Sequence, residues 1–149
     1  MAYNKIFVER DVNINDKTVL SEMRRQNEQL DVTFALDDDT ELKAHNILLS
    51  ANSPKFRSIF SKYSQSTPVL YLRGINHMEM KTLLDFIYHG SVSIEESKLN
   101  EFFKLGKEFE IFGLMEFEEG HMKDIGLNST HTVSIDEYKE SSVNHNKTK

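Results

Sequence analysis

Ile47-Leu48-Leu49-Ser50-Ala51-Asn52-Ser53-Pro54-Lys55-Phe56 is the stretch that decides the fold. Ile47, Leu48 and Leu49 form a continuous apolar patch, which suits a short buried helix. Ser53-Pro54 then marks the start of another. The serine hydroxyl can accept from an unpaired N–H of the first turn, and proline's fixed φ suits the first helical position, where no partner is lost with its N–H. Phe56, Ile59, Phe60 and Tyr63 follow at helical spacing.

Upstream, Val32, Phe34 and Leu36 alternate with Asp31, Thr33 and Ala35, the period of a strand with one buried face. Asp37-Asp38-Asp39 makes an acidic turn, and Leu42 and Ala44 resume the alternation, so a β-hairpin is expected. A helix precedes it, with Asn15 or Asp16 as cap and Val19, Leu20 and Met23 as a narrow apolar stripe. Downstream, Thr67-Pro68 breaks the chain. Val69-Leu70-Tyr71-Leu72 is apolar on both faces and reads as a central strand. Met80, Leu83, Leu84 and Ile87 form a helical stripe that Gly90 would end. Ser91–Ile94 alternates as a strand, and Leu99, Phe102, Phe103, Gly106 and Phe109 line one face of a further helix. A turn at Phe112-Gly113 leads into a short amphipathic segment with Leu114, Met115 and Phe117. The class is α+β.

The 149 residues suit one domain, large enough to bury roughly 68–70% of its unfolded surface. From Ile125 to Lys149 only six of 25 residues are apolar, too few to offset the entropy of ordering. Residues 1–123 are therefore read as the domain and 124–149 as a disordered polar tail. With 18 Lys and Arg against 24 Asp and Glu, the net charge is −6, and no basic block occurs, so direct binding of nucleic acid is not expected. The absence of cysteine excludes disulfide frameworks, thiolate zinc sites and a cysteine nucleophile. No apolar run approaches the ~18 residues of a membrane helix. Met1–Arg10 lacks the apolar core of a signal peptide, which makes a reducing intracellular compartment the expectation.

Chemistry has little to stand on. The six histidines never fall three or four residues apart, and HExxH, GxSxG and GxGxxG are all missing. No catalytic residue, cofactor or metal site is expected, and Asp31 with Asp37–Asp39 reads as a solvated turn, not a calcium loop. Ile6-Phe7-Val8 is harder to place. Such a segment either docks on its own domain or adds to the edge of a partner's sheet, and composition leaves both open.

In this order and spacing the residues resemble a BTB/POZ domain from about Ile6 to Leu114. The resemblance rests on Asp31-Val32-Thr33, Leu42-Lys43-Ala44-His45, Leu48-Leu49-Ser50-Ala51-x-Ser53-Pro54-x-Phe56, Asp85-Phe86-Ile87-Tyr88-x-Gly90 and Gly113-Leu114. Pro68-Val69-x-x-Leu72-Arg73-x-Ile75 and Tyr88-His89-Gly90-x-Val92-x-Ile94 are similar to the tramtrack and bric-a-brac subgroup, and Phe7-x-x-Arg10 echoes its start, with Asp11 where an aromatic is usual. The fold this implies is a small, mainly three-stranded sheet flanked by helices, with the N-terminal helix, and an exchanged strand before it, at a dimer interface. That gives Ile6, Phe7, Val8, Val19, Leu20 and Met23 an interface role.

The resemblance further implies a non-enzymatic module that binds itself and other BTB proteins, in nuclear transcription regulators. Relatives usually carry DNA-binding zinc fingers further along, which a cysteine-free chain does not. They also form a charged pocket linked to corepressor or chromatin proteins; here its positions are Asp31, His45 and Asn46. Asn46 is neutral, which deprives Asp31 of its basic partner and counts against recruitment of that type. The alternative is a substrate adaptor for a cullin ubiquitin ligase, contacted through Phe60, Tyr63 and Gln65, although Tyr63-Ser64-Gln65 lacks the acid of the usual motif.

Overall fold

Among the described residues, two small three-stranded sheets with helices around them organise the chain. The computed structural model describes residues 4–9, 17–63, 66–115 and 132–134. In chain order the elements are β1 (Lys5–Glu9), α1 (Lys17–Arg25), β2 (Val32–Leu36), β3 (Glu41–Ala44), α2 (Asn46–Asn52), α3 (Pro54–Ser61), β4 (Val69–Leu72), α4 (His77–His89), β5 (Ser91–Glu95), α5 (Leu99–Glu108) and β6 (Thr132–Ser134). One sheet has the strand order β3-β2-β4 and the other β5-β1-β6. The architecture is α+β, and the expected caps at Asn15 or Asp16 and Phe117 of the short amphipathic segment lie outside the described residues.

Local chemistry sets the helix boundaries. Ser53 Oγ accepts from the Phe56 N–H at 3.0 Å and donates to the Phe109 carbonyl, so one buried hydroxyl caps α3 and ties it to the end of α5. Asn76 and Glu79 form a reciprocal capping box at the start of α4. Gly90 ends that helix with φ 78°, a left-handed conformation costly for a residue with a Cβ, and its N–H reaches the Phe86 carbonyl at 2.7 Å.

Phe56 stands at the centre of the core, with ring centroids 5.8 Å from Phe34, 5.7 Å from Phe60 and 5.0 Å from Phe109. Met80, Leu83, Leu84, Phe86, Ile87 and Tyr88 are fully buried along α4, which makes it the central helix. Gly106 permits a close approach, since a Cβ there would lie 2.8 Å from Leu114 Cβ.

Three expectations meet a different arrangement. Val69–Leu72 is an edge strand, not a central one: β4 pairs in parallel with β2 from Thr33↔Val69 to Leu36↔Leu72 and ends the sheet, leaving Tyr71 82% exposed. An apolar run reports side-chain character and says nothing about how many strands flank it. Ile47, counted in the buried patch, is 74% exposed, because the single turn that buries Leu48 and Leu49 points Ile47 outward. Within the segment read as a tail, Thr132–Ser134 forms a strand on β1.

Candidate interaction surface

Of the two placements open to the N-terminal segment, the single chain takes the first. β1 pairs antiparallel with β5, from Lys5↔Glu95 to Glu9↔Ser91. Strand alternation sends Ile6 and Val8 into the core and leaves Phe7 39% exposed on the other face.

α1 lies against α4 through mixed contacts. Arg24 forms an ion pair with Asp85 at 2.9 Å, Lys81 reaches the other oxygen of the same carboxylate at 2.9 Å, and Ser21 Oγ meets His89 Nδ1 at 3.3 Å. Arg24 and Asp85 are partly buried, so water screens this pair less than the exposed Arg25–Glu22 pair of the same helix. On Glu22, side-chain hydrogen bonds from Arg25 and then Gln26 hold the carboxyl below its ordinary pKa. Both helices line an open cavity of about 650 Å³, formed by Ser21, Glu22, Arg24, Arg25, Lys81, Asp85 and His89. The apolar stripe of α1 is divided. Leu20 packs partly buried against the core, Met23 is half-buried, and Val19 is 61% exposed.

Asp31, His45 and Asn46 do come together, with a different bonding pattern. The Asp31 carboxylate accepts the Asn46 backbone N–H at 2.7 Å, so it serves as an outside cap for α2, whose own N-cap residue supplies no side-chain bond. Position 46 thus meets Asp31 through its backbone amide, not through the basic side chain that relatives carry there. His45 is buried. Its Nε2 lies 2.8 Å from the Glu28 carbonyl and must donate to it, which leaves Nδ1 as acceptor for the Tyr88 hydroxyl at 2.5 Å. The same phenol oxygen accepts the His45 backbone N–H at 2.9 Å. Burial pushes the Tyr88 phenol up to about 12, against the opposing pull of the His45 N–H and of Arg24, whose guanidinium lies 4.8 Å from the ring centroid. Nothing in the sequence marked Tyr88 or Glu28 as partners of His45.

The residues considered for a cullin contact separate. Phe60 is a core residue that stacks on Phe56, which withdraws its side chain from any partner. Tyr63 is exposed just past α3, and Gln65 lies outside the described residues.

Comparison with known proteins fits these features. Residues 20–125 match the BTB/POZ domain family, so the match begins inside α1 and leaves β1 before it. The chain is similar to the sex determination protein fruitless of Drosophila melanogaster, 37% identical over 98 residues that cover 66% of this chain and 10% of that one. Protein tramtrack, alpha isoform, of the same organism is 37% identical over 89 residues, 60% of this chain and 11% of that one. The longitudinals lacking protein-like of that fly is 29% identical over 106 residues, 71% and 83% of the two chains. The matched region thus spans about a tenth of fruitless and of tramtrack. Among solved structures, the BTB domain of zebrafish PATZ1 superposes with a TM-score of 0.61 over 76% of this chain and 97% of its own, at 19% identity, a likeness of fold. BTB domains are protein-interaction modules rather than enzymes, and no catalytic family is indicated. On the match over residues 20–125, together with the hairpin, the Ser53-Pro54 helix start and the buried α4 that it contains, this chain belongs to the BTB/POZ domain family.

Proposed function

We propose that the chain is a self-associating interaction module, joined through the outer face of α1, that serves nuclear transcription regulators and pairs with itself and with other BTB proteins. One observation carries this: Val19 stands 61% exposed on α1 between groups that the fold has already used, with Leu20 turned to the core and Arg24 to Asp85. An isologous contact uses one patch twice, so a single uncovered apolar position on a helix contributes on both sides of a two-fold seam. The nuclear setting comes from the relatives, fruitless and tramtrack among them.

The test is solution mass by light scattering across a concentration series, with wild type beside Val19→Asp. Because Val19 is exposed in the single chain, the variant keeps the fold, while at a symmetric seam it buries two unpaired carboxylates. A dimeric or larger wild type with a folded, monomeric variant is expected. A wild type that stays monomeric at high micromolar concentration overturns the proposal. Tyr63, exposed beside α3, supports a second reading as a cullin adaptor. That reading requires capture of a cullin by the wild type and its loss in Tyr63→Ala.

A further inference from the structure

The strand Thr132–Ser134 lies parallel on β1, in the register Phe7↔Thr132, Val8↔Val133 and Glu9↔Ser134. β1 is therefore the middle strand of β5-β1-β6, and the edge that β5 does not use is taken by the chain's own distal segment. We propose that this edge of β1 is a strand-acceptor site and that residues 132–134 are its resident cap, barring a strand from a second copy of the chain. The proposal rests on the self-association reading above and deepens it, by naming a surface that the chain withholds from its copies.

Backbone chemistry supports it. An uncovered strand edge presents a row of N–H and C=O groups on which any extended segment can add, and covering it with a short strand is one way proteins prevent such pairing. Competition favours the resident segment. Sixteen residues, 116–131, join β6 to the last described turn. Pairing with the resident segment is an intramolecular event, whereas a strand from a second copy must be recruited from solution. The exposed Phe7 adds an apolar side chain to the surface that the cap borders.

The test uses the full chain. Val133→Pro places a residue with no N–H and a restricted backbone in the middle of the three-residue cap. The expected result is at least tenfold faster hydrogen exchange at the β1 amides that face β6, unchanged exchange in β2, and larger assemblies by light scattering at a protein concentration at least tenfold lower than for the wild type. Unchanged exchange at β1 overturns the cap. Faster exchange without larger assemblies overturns its barring role. As a second arm, Phe7→Cys with Thr132→Cys places the chain's only two cysteines at paired positions. Oxidised, the pair should form within one chain and shift assembly to higher concentration than in the reduced form; equal masses in both states overturn the proposal even if Val133→Pro fails to fold. The two readings fail differently. A monomeric wild type removes self-association, whereas a dimeric wild type with mass-neutral variants removes the cap alone.

Discussion

Replacing Tyr88 by phenylalanine isolates one oxygen atom on which the end of the β2–β3 hairpin depends. The ring stays, so its contact with Arg24 and its core packing persist, and no sizeable cavity opens. Two groups lose their partner at once: the His45 backbone N–H, 2.9 Å from that oxygen, and His45 Nδ1, which accepts its proton. Leaving a buried polar group unsatisfied costs about 1–3 kcal/mol, and the two share one site, so ~2 kcal/mol is the expected loss at pH 7. With a urea dependence of ~1–3 kcal/mol per molar, the unfolding midpoint should fall by about 1 M. A pH series separates this cause from general damage. The Tyr88 phenol is pushed up to about 12 in the folded chain from an ordinary value of 10.0. Below pH 10 both states hold the proton and the wild-type advantage is complete. Between 10 and 12 the unfolded chain ionises first, so the wild type loses stability as pH rises, at about 1.4 kcal/mol per pH unit. Tyr88→Phe has no such group, and the gap between the two proteins should narrow by ~1.4 kcal/mol between pH 9 and pH 11. Urea unfolding followed by circular dichroism at pH 7, 9, 10 and 11 reads both quantities. A variant within ~0.5 kcal/mol of the wild type at pH 7, or a gap that stays constant to pH 11, refutes the bonding scheme around His45.

Two further substitutions probe the helix ends. Ser53→Ala removes a hydroxyl that caps α3 and holds the Phe109 carbonyl, and should cost ~1–3 kcal/mol in the same assay, with Thr recovering part of the loss. Gly106→Ala brings a methyl within 2.8 Å of Leu114 Cβ and should cost ~1–3 kcal/mol through overpacking; an unchanged midpoint would show that the turn carrying Leu114 yields freely.

How much was legible in the sequence depended on where each feature's partner lay. Ser53-Pro54, Gly90 and the alternation around Asp37–Asp39 involve groups within a few residues of one another, and the structure returns each as a cap, a left-handed helix end and a hairpin. The edge position of β4 was illegible because four apolar residues in a row look alike whether one strand flanks them or two. His45 and Tyr88 are 43 positions apart, and only the fold brings the phenol to the imidazole. Asp31 illustrates a different limit. The resemblance points to the side chain at position 46, whereas the group that bonds the carboxylate is an amide that nearly every residue carries. β6 escaped for a related reason: its pairing with β1 is a backbone match, and a polar composition leaves that possibility open.

The sheet that holds β1 also sets an order of events in folding. Val32 and Ala44, paired in the hairpin, are twelve positions apart, whereas Lys5 and Glu95 are ninety apart. Closing the longer loop costs ~1.8 kcal/mol more in chain entropy, and it is repaid only once β5 and the core that buries Ile6 and Val8 are in place. β1 is thus a late arrival. In a refolding experiment with pulsed amide labelling, Ile6–Glu9 should gain protection after Val32–Leu36, on a nucleus built from the middle of the chain.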